Sequence, residues 1–272
     1  MPDPATARAG TPIAPEAAAA LADRLADAAG RAILPWFRAD TLGTTDKGAG
    51  GFDPVTEADR AAETAMRAIL DAERPEDGIL GEEFGTRAGR SGLTWVLDPI
   101  DGTRAFLCGA PTWGVLIALA GPEGPLYGVV DQPYTGERFR GGFGRATLDG
   151  PRGHRALRVR RCGTLAEATL ATTYPEVGTA ADQGAFARVA REVRLTRYGM
   201  DCYAYAMLAA GQIDLVIEAG LAPYDIQAPL ALIEAAGGIV TDWQGGPAHG
   251  GGRVLAAGDL ELHLAALDRL AG

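Results

Sequence analysis

The sequence has few cysteines and no hydrophobic run long enough for a membrane span. Its three cysteines, Cys108, Cys162 and Cys202, are an odd number at wide spacing, which argues against a disulfide framework or a zinc site. No apolar run reaches the roughly 18 residues that a spanning helix requires. The N-terminal residues lack the charged segment and apolar stretch of a secretory signal. We therefore expect a cytoplasmic protein.

Positive charge and histidine are also scarce. The chain has 25 Lys and Arg against 35 Asp and Glu, a formal net charge of −10, which argues against nucleic acid or an acidic membrane as a partner. An anionic substrate would need local positive charge, and a bound metal ion supplies it more readily than scattered arginines. None of the histidines, His154, His249 and His263, lies where a predicted strand meets a turn. Oxygen ligation, suited to Mg²⁺ or Mn²⁺, is therefore expected.

The 272 residues, of which 47% are apolar, are enough to bury a substantial core. Apolar periodicity predicts helices over about 15–38 and 56–72, then an antiparallel meander, with residues 141–156 as a loop. The second half alternates strands with helices. We expect one layered α/β domain over 1–272, with an N-terminal half of about 15–155 and a C-terminal half of about 156–272.

The stretch Trp95–Phe106 is the centre of the site hypothesis. It begins as an apolar run typical of a buried strand and is expected to break at Pro99 and Gly102 into a turn. That turn carries the carboxylates of Asp98 and Asp101 and the hydroxyl of Thr103. A helix start beside them would add backbone N–H groups, so the turn can seat both a phosphate and Mg²⁺.

Three further acids, Asp53, Glu82 and Asp225, lie where a strand ends or a helix begins. Side chains reach a cleft from such positions in layered α/β folds. Taken alone, Asp53 is more simply explained as an acidic residue in the turn before a helix. Glu82 is likewise explained as one of two adjacent glutamates on the surface. Lys47, in a Gly-rich loop, is either merely solvated or placed over the site. No Ser or Cys lies in an elbow near a usable His, so a nucleophilic triad has no candidates.

Four segments together resemble the signatures of the inositol monophosphatase superfamily, in order and spacing. They are Asp53–Asp59, Gly81–Glu83, Trp95–Thr103, and Tyr224-Asp225 with the later Gly237-Gly238. The resemblance implies an αβαβα sandwich and Mg²⁺-dependent hydrolysis of a small phosphomonoester. Two or three ions per site, with Mn²⁺ as a substitute, a homodimer and inhibition by Li⁺ are also implied.

The same resemblance assigns roles to individual residues. The first metal is held by Glu82, Asp98 and the carbonyl of Ile100, and the second by Asp98, Asp101 and Asp225. Thr103, paired with Asp53, joins Glu82 in activating the attacking water. The N–H groups of Gly102 and Thr103 bind phosphate oxygens.

Within the superfamily, the chain is most similar to the histidinol-phosphate phosphatase branch. The likeness lies in the Gly-rich segment before Asp53, in Arg197–Tyr205 and in Glu218–Leu221. Inositol phosphatases usually have a small residue where Asp201 stands. A carboxylate there would pair with the ammonium of histidinol phosphate, and Glu218 would supply a second acid. The alternative for Asp201 is a helix N-cap.

Three functions are carried forward. The first is a Mg²⁺-dependent histidinol-phosphate phosphatase of histidine biosynthesis. The second is an inositol-1-phosphatase, or a broader sugar- or nucleotide-phosphate phosphatase. The third is a metal-dependent binding or regulatory protein without catalysis, against which the complete set of expected ligands argues.

Overall fold

The structure is a computed structural model that describes residues 13–39 and 56–272. Within these ranges the chain forms a layered α/β fold built on two sheets, which confirms the predicted fold class. No helix in the described ranges is long and apolar enough to cross a membrane.

The N-terminal half contributes an eight-stranded sheet with strand order β2-β1-β3-β4-β5-β6-β7-β8. Neighbouring strands are antiparallel except for the parallel pair β1 and β3. The elements are α1 Pro15–Ile33, α2 Thr56–Glu73, β1 Gly78–Gly81, β2 Gly85–Arg87, β3 Thr94–Asp101, α3 Thr103–Leu107, β4 Gly114–Gly121, β5 Gly124–Gln132, β6 Glu137–Gly142, β7 Arg145–Gly150 and β8 Gly153–Ala156.

The C-terminal half contributes a five-stranded sheet with strand order β10-β9-β11-β13-β12. Here β9 pairs in parallel with β10 and β11, while β13 is antiparallel to its neighbours. The elements are β9 Thr169–Thr172, α4 Ala180–Ala190, β10 Leu195–Tyr198, α5 Asp201–Ala209, β11 Leu215–Leu221, α6 Pro223–Ala235, β12 Ile239–Asp242, β13 Gly252–Ala257 and α7 Leu260–Ala271.

Strand alternation explains the order of the layers. Along β4, Val115 and Ile117 face the core under α1 and α2, whereas Leu116 and Ala118 face the core that contains α5 and α6. Because successive side chains point to opposite faces, an apolar run buries both faces of the first sheet. The second sheet lies across α5 and α6 and is covered on its far side by α4 and α7. The layers are therefore α, β, α, β, α. The core around α5 and α6 joins the two halves and supports the single-domain organisation, which stays a prediction.

The break predicted at Pro99 is wrong. β3 continues through Pro99 to Asp101, and its pairing with β4 shifts register between Asp98 and Asp101. Proline has no N–H to donate, and a sheet tolerates it at such an irregularity. The strand ends at Asp101, and the break predicted at Gly102 is confirmed.

The loop predicted over 141–156 is also wrong, because β7 and β8 occupy most of it. Ala146 and Leu148 are buried and alternate with more exposed neighbours, so β7 has the period of a strand. Small residues and glycine-containing turns concealed this period in the sequence. β13 was not predicted either, because it follows a run of glycines.

Candidate active site

The last residues of β3 bring the first carboxylate to the site. Asp98 is 2% exposed, and its Oδ1 accepts a hydrogen bond from the backbone N–H of Ile100 at 3.1 Å. The hydroxyl of Thr103 lies 3.4 Å from the carbonyl oxygen of Ile100 and donates to it. The side chain of Ile100 is buried, so its carbonyl is the part of this residue that can serve as a ligand.

Gly102 makes the turn between β3 and α3. Its φ of 85° and ψ of 41° lie in the left-handed region, which glycine adopts without strain. A Cβ at this position would lie 2.9 Å from Cβ and Cγ of Asp201 and 3.1 Å from Cα of Trp113. Glycine therefore lets the carboxyl-bearing side chain of Asp201 contact this turn, while the exposed Thr103 begins α3.

Asp101 connects the two halves of the chain. Its Oδ2 accepts the backbone N–H of Cys202, in the first turn of α5, at 2.7 Å. A carboxylate here accepts a hydrogen bond from a helix N–H that has no partner within the helix, and its negative charge is stabilised by the positive end of the helix dipole. Asp225 does the same for α6, because its Oδ2 accepts the N–H of Ala222 at 2.7 Å.

Three of the predicted ligands converge on one point. One carboxylate oxygen from each of Asp98, Asp101 and Asp225 lies within 4.8 Å of the others. Hard divalent cations have metal–oxygen distances of about 2.0–2.6 Å, so opposite ligands lie about 4–5 Å apart and these oxygens are close enough to hold one such ion. Glu82 is exposed as a residue, but its carboxyl group lies close enough to that of Asp98 for each to shift the pKa of the other. The donor set contains only oxygen and fits a hard divalent metal ion.

Burial raises the pKa of all four acids, and neighbouring carboxylates add to the rise for Asp98, Asp101 and Glu82. Burial, followed by the charges of neighbouring carboxylates, raises the pKa of Asp98 and Asp101 well above their ordinary values. Burial raises the pKa of Asp225, although the hydrogen bond from the backbone N–H of Ala222 lowers it. Partial desolvation in the cleft also raises the pKa of Glu82. A divalent cation would reverse this repulsion and favour the ionised carboxylates.

Asp201 does not cap its own helix. It is the first residue of α5, with a φ of 46°, and its Oδ2 accepts the hydroxyl of Thr112 at 3.2 Å. The N–H of Cys202 is satisfied by Asp101 instead. Burial raises the pKa of Asp201, while Thr112 and the charge of Arg104 oppose this effect. The helix-cap alternative is therefore wrong.

Glu218 lies on β11 and is 7% exposed. Its Oε1 accepts the N–H of Thr173 at 2.6 Å and the hydroxyl of the same residue at 2.9 Å. Burial raises the pKa of Glu218 to about 7 against these hydrogen bonds, and the charge of Asp201 adds to the rise. Asp201 is therefore close enough to Glu218 for its charge to disfavour the ionised form of Glu218.

Two residues missed in the sequence lie at the site. Tyr205 of α5 has a buried hydroxyl with no hydrogen-bond partner among the described residues. Burial raises its pKa, and the charges of Glu218 and Asp101 add to the rise. A tyrosine within an otherwise apolar helix was the available signal. Glu63 lies beneath the turn that carries Glu82, and a glutamate on the apolar face of α2 was its signal. Asp53 and Lys47 lie outside the described residues.

The comparisons with known proteins agree on one family. A model of the inositol monophosphatase family matches residues 15–271. The chain is 42% identical over 264 residues to the bifunctional phosphatase IMPL2, chloroplastic, of Arabidopsis thaliana, covering 93% of this chain and 74% of that protein. It is 38% identical over 255 residues to a histidinol-phosphatase of Streptomyces coelicolor, covering 89% and 92%.

A solved structure gives the same result. An inositol monophosphatase from Zymomonas mobilis matches with a TM-score of 0.86 and 42% identity, over 96% of this chain and all of that one. The fold, the carboxylate cluster and these relatives together show that the chain belongs to the inositol monophosphatase family of metal-dependent phosphatases.

Proposed function

We propose that the protein hydrolyses L-histidinol phosphate to L-histidinol and phosphate, with Mg²⁺ as the physiological metal. The observation that carries the substrate is Asp201, whose side-chain carbons lie against the Gly102 turn. In histidinol phosphate, the ammonium is on the carbon next to the one that bears the phosphate ester. A carboxylate beside a phosphate-binding turn is therefore suitably located for the ammonium.

The metal-ligand assignments follow the family resemblance, and the close approach of Asp98, Asp101 and Asp225 supports them. Glu82, Asp98 and the carbonyl of Ile100 would hold one ion, and Asp98, Asp101 and Asp225 a second. When bound, divalent cations supply the positive charge that lowers the pKa of a water molecule and stabilises the leaving oxygen.

The remaining site residues orient the reactants. The N–H groups of Gly102 and Thr103 would bind phosphate oxygens, since a helix start favours anions. The hydroxyl of Thr103 would orient the attacking water, and the carboxylates of Glu82 and Asp53 would accept its proton. The hydrogen bond between Thr103 and the carbonyl of Ile100 supports this role, because it keeps the hydroxyl beside a proposed metal ligand.

The substrate's organic part would be recognised by acids. Asp201 would pair with the ammonium, and the buried Glu218 would bind either the ammonium or the imidazole ring. Charge-assisted hydrogen bonds of this kind are about twice as strong as neutral ones. The likeness to a histidinol-phosphatase supports this assignment.

An inositol-1-phosphatase is the second candidate. The 42% identity to a solved inositol monophosphatase favours it, and the match to a phosphatase named bifunctional is compatible with either substrate. A neutral polyol gains less than an ammonium from a carboxylate at position 201, and for that reason we place this candidate second. The homodimer and Li⁺ inhibition stay predictions.

The experiment compares two substrates that differ only in the ammonium. Phosphate release is measured for histidinol phosphate and for 3-(imidazol-4-yl)propyl phosphate, with the parent protein and with Asp201→Asn. The variant keeps the side-chain size and an oxygen that accepts from Thr112. We expect kcat/KM to fall by about 10- to 100-fold for histidinol phosphate, as for a lost hydrogen bond to a charged group. The value for the analogue should change less than about threefold, and equal losses on both substrates would contradict the recognition of the ammonium by Asp201.

A further inference from the structure

Glu63 is a charged residue on the buried face of α2. It is 0% exposed and lies on the same helix face as Ala62, Met66 and Leu70, which are also fully buried. An ionised carboxylate is costly to bury unless other groups donate hydrogen bonds to it. We therefore expect Glu63 to accept hydrogen bonds from neighbouring groups.

Both oxygens of Glu63 bind the turn between β1 and β2. Oε2 accepts the backbone N–H of Glu83 at 2.8 Å, and Oε1 accepts that of Phe84 at 3.3 Å. Oε1 also accepts from Nε of Arg67 at 2.7 Å, and Arg67 donates through Nη2 to the carbonyl of Gly85. One side chain from α2 thus binds two successive N–H groups directly after Glu82.

Gly81 shows how closely the carboxylate underlies the strand end. A Cβ at this position would lie 1.9 Å from Oε1 of Glu63 and 2.4 Å from its Cδ. Any side chain would collide with the carboxylate, so glycine allows β1 to pass directly over it.

Glu82 is therefore bracketed on both sides. Its own N–H donates to the carbonyl of Leu97 on β3 at 3.2 Å, and the next two N–H groups bind Glu63. The backbone is fixed at these points, and the Glu82 carboxyl group lies close enough to Asp98 for the charge of Glu82 to raise the pKa of Asp98.

We propose that Glu63 is a positioning residue that fixes the β1–β2 turn so that the carboxylate of Glu82 faces the metal site. The inference rests on the proposed role of Glu82 as a metal ligand. Glu63 is not among the proposed metal ligands, and its effect would be exerted through the backbone of residues 83 and 84. Groups that orient metal ligands typically change metal affinity by about 10- to 100-fold when they are replaced.

The test is the affinity for Mn²⁺ alone, measured by electron paramagnetic resonance, together with the melting temperature. Glu63→Gln keeps the length of the side chain but presents an NH₂ group to one of the backbone donors. We expect its Mn²⁺ dissociation constant to rise about tenfold or more. Glu63→Asp keeps the charge but shortens the reach, so it should show the same loss and replaces Glu63→Gln if that variant does not fold.

Met66→Ala is the matched control, because it opens the same buried helix face one turn further along and keeps the hydrogen bonds from residues 83 and 84 to Glu63. It should lower the melting temperature and leave Mn²⁺ affinity within about twofold of the parent. An unchanged affinity in Glu63→Gln, or an equal loss in Met66→Ala, would overturn the positioning role. Glu82→Gln provides the reference. If Glu82→Gln leaves Mn²⁺ affinity unchanged, the assignment of Glu82 as a metal ligand is refuted. If Glu82→Gln loses affinity but Glu63→Gln does not, only the positioning role of Glu63 is refuted.

Discussion

Replacing Glu218 by glutamine should stabilise the protein at neutral pH and raise the KM for an ammonium-bearing substrate. Burial raises the pKa of Glu218 from its ordinary 4.5 to about 7, so the folded state holds a proton that the unfolded state releases. Stability is therefore lost as the pH rises from 4.5 to about 7, and the loss is complete above that range. At 1.36 kcal/mol per pH unit, the loss amounts to roughly 3 kcal/mol.

Glutamine does not titrate, and its carbonyl oxygen can still accept from the N–H and hydroxyl of Thr173. The free energy of unfolding of Glu218→Gln, relative to the parent, should thus increase by up to about 3 kcal/mol between pH 4.5 and 8. Urea denaturation of both proteins at several pH values measures this difference. Taking the difference between the two proteins removes the contribution of every other group that titrates alike in both.

The same variant should lose affinity for the ammonium or imidazole of histidinol phosphate. Stabilisation together with a raised KM is the usual consequence of removing a strained functional group. A difference in unfolding free energy that stays constant with pH would refute the assigned pKa and its cause.

Two further substitutions test the catalytic turn. Asp101→Asn should lower kcat/KM by at least about 100-fold, more than is typical for groups that only support a ligand. The circular dichroism spectrum should show an intact fold, because asparagine can still accept the hydrogen bond from Cys202. Retained activity would refute the two-metal assignment. Gly102→Ala should lower the free energy of unfolding by more than the roughly 1–2 kcal/mol cost of a left-handed backbone, because its Cβ would also collide with Asp201. Gly144→Ala is the control for backbone strain alone, since Gly144 has a φ of 76° and open space around it. Equal losses in the two variants would contradict the close approach of Asp201.

Helices and strands with strong local patterns were predictable from the sequence. α2 was expected over about 56–72 and runs from Thr56 to Glu73, because its apolar face has a clear helical period. β7 has the period of a strand, but small residues and adjacent glycines weaken the signal. The path of β3 through Pro99 depends on a register shift against β4, which β3 alone does not encode.

The members of the acidic cluster were predictable because each lies at the end of an element. Their pairing was not. The hydrogen bond from Cys202 to Asp101 joins residues 101 positions apart, and local periodicity contains no information about such a contact. This contact also explains why Asp201, expected either to cap α5 or to face the substrate, is free of the capping role.

The most direct measurement is the ratio of kcat/KM for histidinol phosphate to that for inositol 1-phosphate at saturating Mg²⁺. If Asp201 and Glu218 bind the substrate as proposed, they favour a cationic leaving group. We then expect a ratio of at least about 10, equivalent to about 1.4 kcal/mol of transition-state stabilisation. Activity should disappear on chelation of the metal and return with Mg²⁺. A ratio of one or less would contradict the substrate proposal, and hydrolysis that persists without a divalent metal would contradict the metal assignments.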